Sequence, residues 1–156
     1  MSGPDKDTSD IYRQMDYEML QMSHDIPQEI EFELPWLPPS EVRGNSRSHW
    51  SKKYRASKAL RESGYVHGLE ALDKGHSPMS KASITFVFSN WRRVDLDNLI
   101  IGMKGWVDGL VDSGILPDDN PDHLLYDGAT FQKVKKNEEG VYVKLRERDS
   151  RCTKLT

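Results

Sequence analysis

Between residues 29 and 34 the chain alternates strictly: Ile30, Phe32 and Leu34 are interleaved with Glu29, Glu31 and Glu33. Period-two alternation puts one set on each face of a strand. The stretch predicts a half-buried strand, stopped at Pro35. Upstream, Ile11, Met15, Met19, Met22 and Ile26 recur at spacings of three and four, one apolar face of a helix that Pro27 ends. After a Pro/Gly/Asn loop, a mostly polar helix is predicted from about Ser48, with Tyr54, Leu60 and Leu69 as its apolar points. DKGHSPMS reads as a loop. KASITFVFSNWRRV, rich in β-branched and aromatic residues, is the clearest strand, with Asp95 at its end. The next helix, DNLIIGMKGWVDGLVDSG, can be capped by Asp97 or Asn98 and stops at Gly114. At about 100° per residue, Leu99, Met103, Trp106, Val107 and Leu110 share one face of it. Asp97, Ile101, Lys104 and Asp108 share the opposite face. HLLYDGATFQKVKK and EEGVYVKLRER read as two strands joined by a turn at Asn137–Gly140. The predicted order is β-α-β-α-β-β after an N-terminal helix.

Charge divides this pattern. Residues 1–34 carry nine acids and two bases, a net −7, and the remainder carries 20 bases and 16 acids, a net +4. The predicted boundaries are an acidic extension at 1–28, one domain at 29–148 and a polar tail at 149–156. Seven bases and no acid lie between Arg43 and Arg61. The overall charge of −3 argues weakly against a nucleic-acid partner, and this local patch argues for one. The single cysteine, Cys152, allows no internal disulfide and fits a reducing compartment. No apolar run reaches membrane-spanning length, and the first residues show no basic and apolar leader pattern. The chain reads as soluble and cytoplasmic, with no membrane partner.

Asp95 and Asp97 flank Leu96 and precede Asn98. On a strand end, residues two apart point to the same side, so both carboxylates can meet one cation. Mg²⁺ takes oxygen ligands and usually one or two protein carboxylates. A second acidic pair, Asp118 and Asp119, follows the helix. Lys104 and Asp108 lie between, on the face of Asp97. A lysine beside carboxylates can offset charge or stabilise a leaving oxygen, and Mg²⁺ can activate water and polarise a phosphodiester. The plainer readings are also open: Asp-x-Asp-Asn is an ordinary helix cap, and PDDNPD an ordinary turn. Two acidic clusters with a lysine on the connecting helix tip the balance toward a metal site. Arg92 and Arg93 on one side, and the 43–61 patch on the other, are placed to hold a phosphate backbone.

The stretch RRVDLDNLIIGMKGWVDGLVDSGILPDD resembles the D-x-D-N…K-x-x-x-D…D-D signature of the RusA-like endodeoxyribonucleases, Holliday junction resolvases of phages and prophages. The upstream LPWLPPSEVRGNSRSHW is similar to that family's opening, and the resemblance spans roughly residues 30–147. It implies a small α+β domain with a mixed sheet and a homodimer that binds four-way DNA junctions. It also implies Mg²⁺-dependent phosphodiester hydrolysis, with Mn²⁺ as a possible substitute. Carried over, the metal-binding and catalytic aspartates are Asp95, Asp97 and Asp119. The catalytic lysine is Lys104, with Asp108 orienting it or extending the metal shell. Asn45, Arg47, Lys52, Lys53, Arg55, Lys58, Arg92 and Arg93 are the expected DNA contacts. The sequence departs from the pattern in three respects: Val94 stands directly before Asp95 where an arginine often does, the acidic helix at 11–26 has no counterpart, and the lysine lies farther on. Five residues, LIIGM, separate Asn98 from Lys104 where the best-known form has two, an insertion of nearly one helical turn.

Other residues fit bland roles. His49, His67, His76 and His123 lack metal-ligand spacing. Trp36, Trp50, Trp91 and Trp106 read as core, with Trp50 also able to stack on an exposed base. Gly102, Gly105 and Gly109 within one helix are costly and imply close approach of a strand, a partner helix or DNA. The rival function is a junction-binding protein that does not cleave, its acids serving as caps and turns. A small-ester phosphohydrolase fits less well, because Leu99 follows Asn98 and the basic helix would have no purpose.

Overall fold

The computed structural model describes residues 13–15 and 26–148. Residues 13–15 are helical. The rest of the predicted 11–26 helix, and the 149–156 tail, lie outside the described residues. The architecture is α+β: a four-stranded mixed sheet covered on one face by helices. The elements are β1 (Glu29–Leu34), a 3₁₀ turn (Ser40–Val42), α1 (Trp50–Asp73), β2 (Ala82–Asn90), α2 (Leu96–Gly102), α3 (Lys104–Ser113), β3 (Leu124–Lys133) and β4 (Gly140–Glu147).

The strand order is β1-β4-β2-β3. β4 runs antiparallel to both β1 and β2, and β3 runs parallel to β2. The expected turn at Asn137–Gly140 therefore joins strands that are not neighbours. The chain leaves the edge at β3 and inserts β4 between β1 and β2. The parallel β2–β3 pair needs a crossover, and α2 and α3 supply it.

The alternation in β1 comes out as read. Ile30, Phe32 and Leu34 are buried, and the three glutamates are exposed. Their face of the sheet stays open to water, as antiparallel sheets allow, and Lys144 pairs across strands with Glu29 at 2.7 Å. On the covered face, Phe86, Phe88, Val143 and Leu145 meet Leu99, Trp106, Val107 and Leu110, all at most 2% exposed. Trp106 packs edge-on against Phe32, with ring centroids 5.2 Å apart.

The apolar points of α1 divide. Leu60 is buried, but Tyr54 is 62% and Leu69 41% exposed. The face that packs is Leu60, Gly64, Gly68 and Ala71, at spacings of four, four and three. It is built of small residues because α3 crosses at backbone distance. A Cβ on Gly109 would lie 2.6 Å from the Tyr65 nitrogen and 2.8 Å from the Gly64 Cα. A partner helix thus explains two of the three helical glycines. Gly102 answers to a different neighbour: a Cβ there would lie 2.7 Å from the Pro38 Cβ.

The expected single helix over 97–114 is two. α2 ends at Gly102 and α3 starts at Lys104. The Met103 N–H turns to the Ile100 carbonyl at 3.1 Å, a tighter i→i−3 bond. Gly114, at φ 89°, ends α3 as read. The faces survive the break: Leu99, Met103, Trp106, Val107 and Leu110 are all buried, while Asp97, Ile101 and Lys104 are exposed and Asp108 is half-buried.

Candidate active site

β2 ends at Asn90, so Asp95 is five residues beyond the strand rather than at its end. It is the N-cap residue of α2, in an extended backbone conformation, and its side chain makes no capping hydrogen bond. Asp97 is in the first turn of α2, where a carboxylate complements the helix dipole. Neither Asp97 nor Asn98 is the cap. The two-apart strand argument for a shared cation therefore does not apply. Both carboxylates are exposed, and neither makes an ion pair among the described residues.

Lys104 opens α3. A cation at a helix N-terminus opposes the dipole, and no acid lies in that first turn to offset it. The compensation comes from elsewhere. The Lys104 Nζ donates to Asp108 Oδ1 at 3.1 Å, one helical turn on, and to Asp119 Oδ2 from the loop after α3. Asp119 is set in place by its own loop, its N–H donating to Asp118 Oδ1 at 2.7 Å. The hydrogen bond to Asp119 is the main reason the Lys104 pKa is pushed up to about 12. Burial opposes the rise, and Asp108 adds to it. The same hydrogen bond draws Asp119 below its ordinary value. Lys104 is therefore a cation throughout the neutral range, suited to facing a phosphate rather than to accepting a proton.

The sign of each contribution to stability follows. Lys104, raised, supports the fold fully below its ordinary 10.5, and that support is lost as pH climbs through about 12. Asp119, lowered, supports it above its ordinary 3.8 and loses that support as pH falls below this value. Asp119→Asn is expected to bring the Lys104 pKa back toward 10.5, read by NMR titration of the lysine side chain. A value that stays near 12 would mean Asp108 alone holds the ammonium.

Tyr126 on β3 belongs to the same region and was missed by the sequence reading. Burial raises its pKa first; the charge of Lys104 lowers it, and those of Asp119 and Asp108 raise it. Its ring stacks on Phe86, 6.3 Å between centroids. Just past it, pairing passes from Ile84↔Tyr126 to Thr85↔Gly128, which leaves Asp127 as a bulge. Bulges re-aim neighbouring side chains. The Asp-Gly in LLYDGATF was the available signal.

The basic residues sort by position. Asn45 and Arg47 are exposed on a loop that the Gly44 N–H ties to the Asn98 carbonyl, 3.3 Å away at the start of α2. Lys52, Arg55 and Lys58 are exposed along α1. Lys53 is half-buried and donates to the Ser46 carbonyl at 3.2 Å. Arg61, counted with the patch, is tied to Asp112 of α3 at 2.5 Å. Arg92 and Arg93 are exposed between β2 and α2, and the Arg92 guanidinium is 4.2 Å from the Trp91 ring centre. Trp106 alone of the tryptophans is fully buried, whereas Trp50 is 74% exposed beside the basic run. His49 caps α1, its ring nitrogen accepting from the Ser51 N–H.

Carboxylate oxygens suit a hard divalent cation. Among the described residues, however, no three His, Cys, Asp or Glu side chains converge as a metal-ligand group. Asp95 and Asp97 are open to a cation, which suits Mg²⁺ with its one or two carboxylates, while Asp119 and Asp108 are engaged by Lys104. No helix among the described residues is long and apolar enough to cross a membrane.

The fold and site define an α+β protein with a lysine–carboxylate centre beside a basic helix. The chain is similar to the crossover junction endodeoxyribonuclease RusA of Aquifex aeolicus (strain VF5), 28% identical over 122 residues, which cover 76% of this chain and 92% of that protein. No protein-family model matches the chain.

Proposed function

We propose that this protein is a Mg²⁺-dependent, structure-selective endodeoxyribonuclease of the RusA-like kind. It resolves Holliday junctions or related branched DNA in phage or bacterial recombination and replication. The observation that carries the reading is the Lys104–Asp108–Asp119 cluster at the start of α3; Asp95 and Asp97 are exposed carboxylates at the start of the preceding α2. The similarity to a junction endonuclease supports it.

Asp95 and Asp97 would hold the Mg²⁺, with Asp119 as the third carboxylate and Asp108 beside them. Once bound, the ion supplies an activated water and a polarised phosphodiester. Lys104 faces the charge that builds on the scissile phosphate in the transition state. Asp108 aims the lysine. Asn45, Arg47, Lys52, Lys53, Arg55, Lys58, Arg92 and Arg93 hold the backbone of the DNA arms. A homodimer would present two such sites to a two-fold symmetric junction.

The absence of an assembled three-ligand group among the described residues favours a second reading, a junction-binding protein that does not cleave. Both readings require junction binding. In EDTA, a labelled four-way junction is expected to bind more tightly than linear duplex of the same sequence, by about tenfold or more, a difference of roughly 1.4 kcal/mol. Equal affinity for the two would remove structure selectivity from the account.

A further inference from the structure

A cavity of about 370 Å³ opens between the 3₁₀ loop, α1 and the α2–α3 break. Its polar lining is Glu41, Arg43, Lys53, Ser57, Lys104 and Asp108. At about 30 Å³ per water, it has room for a hydrated anionic group. It exists because α1 and α3 run so close: a Cβ on Gly105 would lie 3.1 Å from the Ser57 carbonyl. That approach brings Lys53 and Ser57, one helical turn apart, to the N-terminus of α3.

The charges pair unevenly: Lys104 holds two acids, Asp108 and Asp119, Arg43 has Glu41 near it, and Lys53 has no acid among the described residues. Asp108 is taken by Lys104. Glu41 acts on Arg43, whose pKa burial lowers and Glu41 raises. The Arg43 Nε donates to the Pro38 carbonyl at 2.8 Å. Among the described residues, Lys53 has only a backbone carbonyl for a partner, that of Ser46. A cation left uncompensated in a concavity beside two others calls for an anion. Lys52, Arg55 and Lys58 are absent from the lining and are exposed along the same helix, so the pocket adjoins a basic track. A polyanion suits that continuity better than a free ion.

We propose that this pocket seats a DNA backbone phosphate next to the one cleaved, with Lys53 and Arg43 as its cations and Ser57 as a hydroxyl donor. The inference rests on the DNA-cleaving reading and deepens it. Of the basic residues from Arg43 to Arg61, it singles out two, and it makes Lys53 the physical link between the basic helix and the Lys104 centre.

The test is junction affinity in EDTA across a salt series for wild type, Lys53→Gln, Ser57→Glu and Lys74→Gln. Lys74, at the C-terminal end of α1, makes the same charge change outside the pocket. Lys53→Gln is expected to weaken binding roughly fivefold and to flatten the salt slope by about one. Ser57→Glu places a carboxylate in the pocket and is expected to cost roughly tenfold or more. Lys74→Gln should bind as wild type does. Wild-type affinity in both pocket variants would overturn the pocket while leaving the DNA reading standing. So would a Lys74→Gln loss equal to that of Lys53→Gln, since net charge alone would then govern. A wild-type protein that binds no DNA at all would overturn the DNA reading and the pocket with it.

Discussion

Asp97→Asn is expected to lower the junction cleavage rate by roughly a thousandfold or more while junction affinity holds or tightens. The substitution keeps the shape of the side chain and removes its charge. Asp97 is exposed, makes no ion pair among the described residues and is not the cap of α2, so the fold asks little of it. The account assigns its carboxylate to the cation, and losing about 4 kcal/mol of transition-state stabilisation corresponds to roughly a thousandfold in rate. Binding should not suffer, because removing a negative charge from a surface that faces phosphates reduces repulsion. Single-turnover cleavage and mobility shift on the same preparation separate the two effects. A variant that cuts normally would show that Asp97 is only a favourable charge in the first turn of α2.

Gly64→Ala is expected to destabilise the protein by about 3 kcal/mol or more, the upper range for overpacking a tight interior. The added methyl would collide with the Trp106 carbonyl oxygen and would lie 3.1 Å from the Gly109 Cα. Both are backbone contacts between α1 and α3, so relief requires moving a whole helix. Trp106 is fully buried against Phe32, and the shift would disturb the core beneath the site. At 2–4 °C per kcal/mol for a chain near this size, the melting temperature should fall by roughly 6–12 °C. Thermal unfolding by circular dichroism reads this directly. An unchanged melting temperature would mean that the two helices do not cross at glycine distance.

Local pattern disclosed most of the elements and several of their faces, and long-range packing decided the rest. The strict alternation in β1 and the apolar stripe from Leu99 to Leu110 were legible because burial follows period directly. The position of β4 between β1 and β2 was not, because pairing partners leave no local mark. The break falls beside Gly102, where a Cβ would lie 2.7 Å from the Pro38 Cβ, a neighbour more than sixty residues away in sequence. The buried face of α1 left no hydrophobic stripe in the sequence, because it carries Gly64 and Gly68. In the site, Lys104 and Asp108 follow from a shared helical face and Asp119 from the family resemblance, and the fold brings those three side chains together. Asp95 and Asp97 were placed on a strand end that stops earlier, at Asn90. Ser57 joins the region only through tertiary contact; Arg43 was legible only as one base of the patch, and Tyr126 only through the Asp-Gly that follows it.

The most direct measurement is cleavage of a synthetic four-way junction by the wild-type protein, beside linear duplex of the same sequence, with Mg²⁺ and with EDTA. The expected result is paired, symmetric nicks in the junction alone, absent in EDTA. Tight junction binding with no cut in Mg²⁺ or Mn²⁺ would contradict the nuclease and leave a junction-binding protein whose aspartates serve the fold.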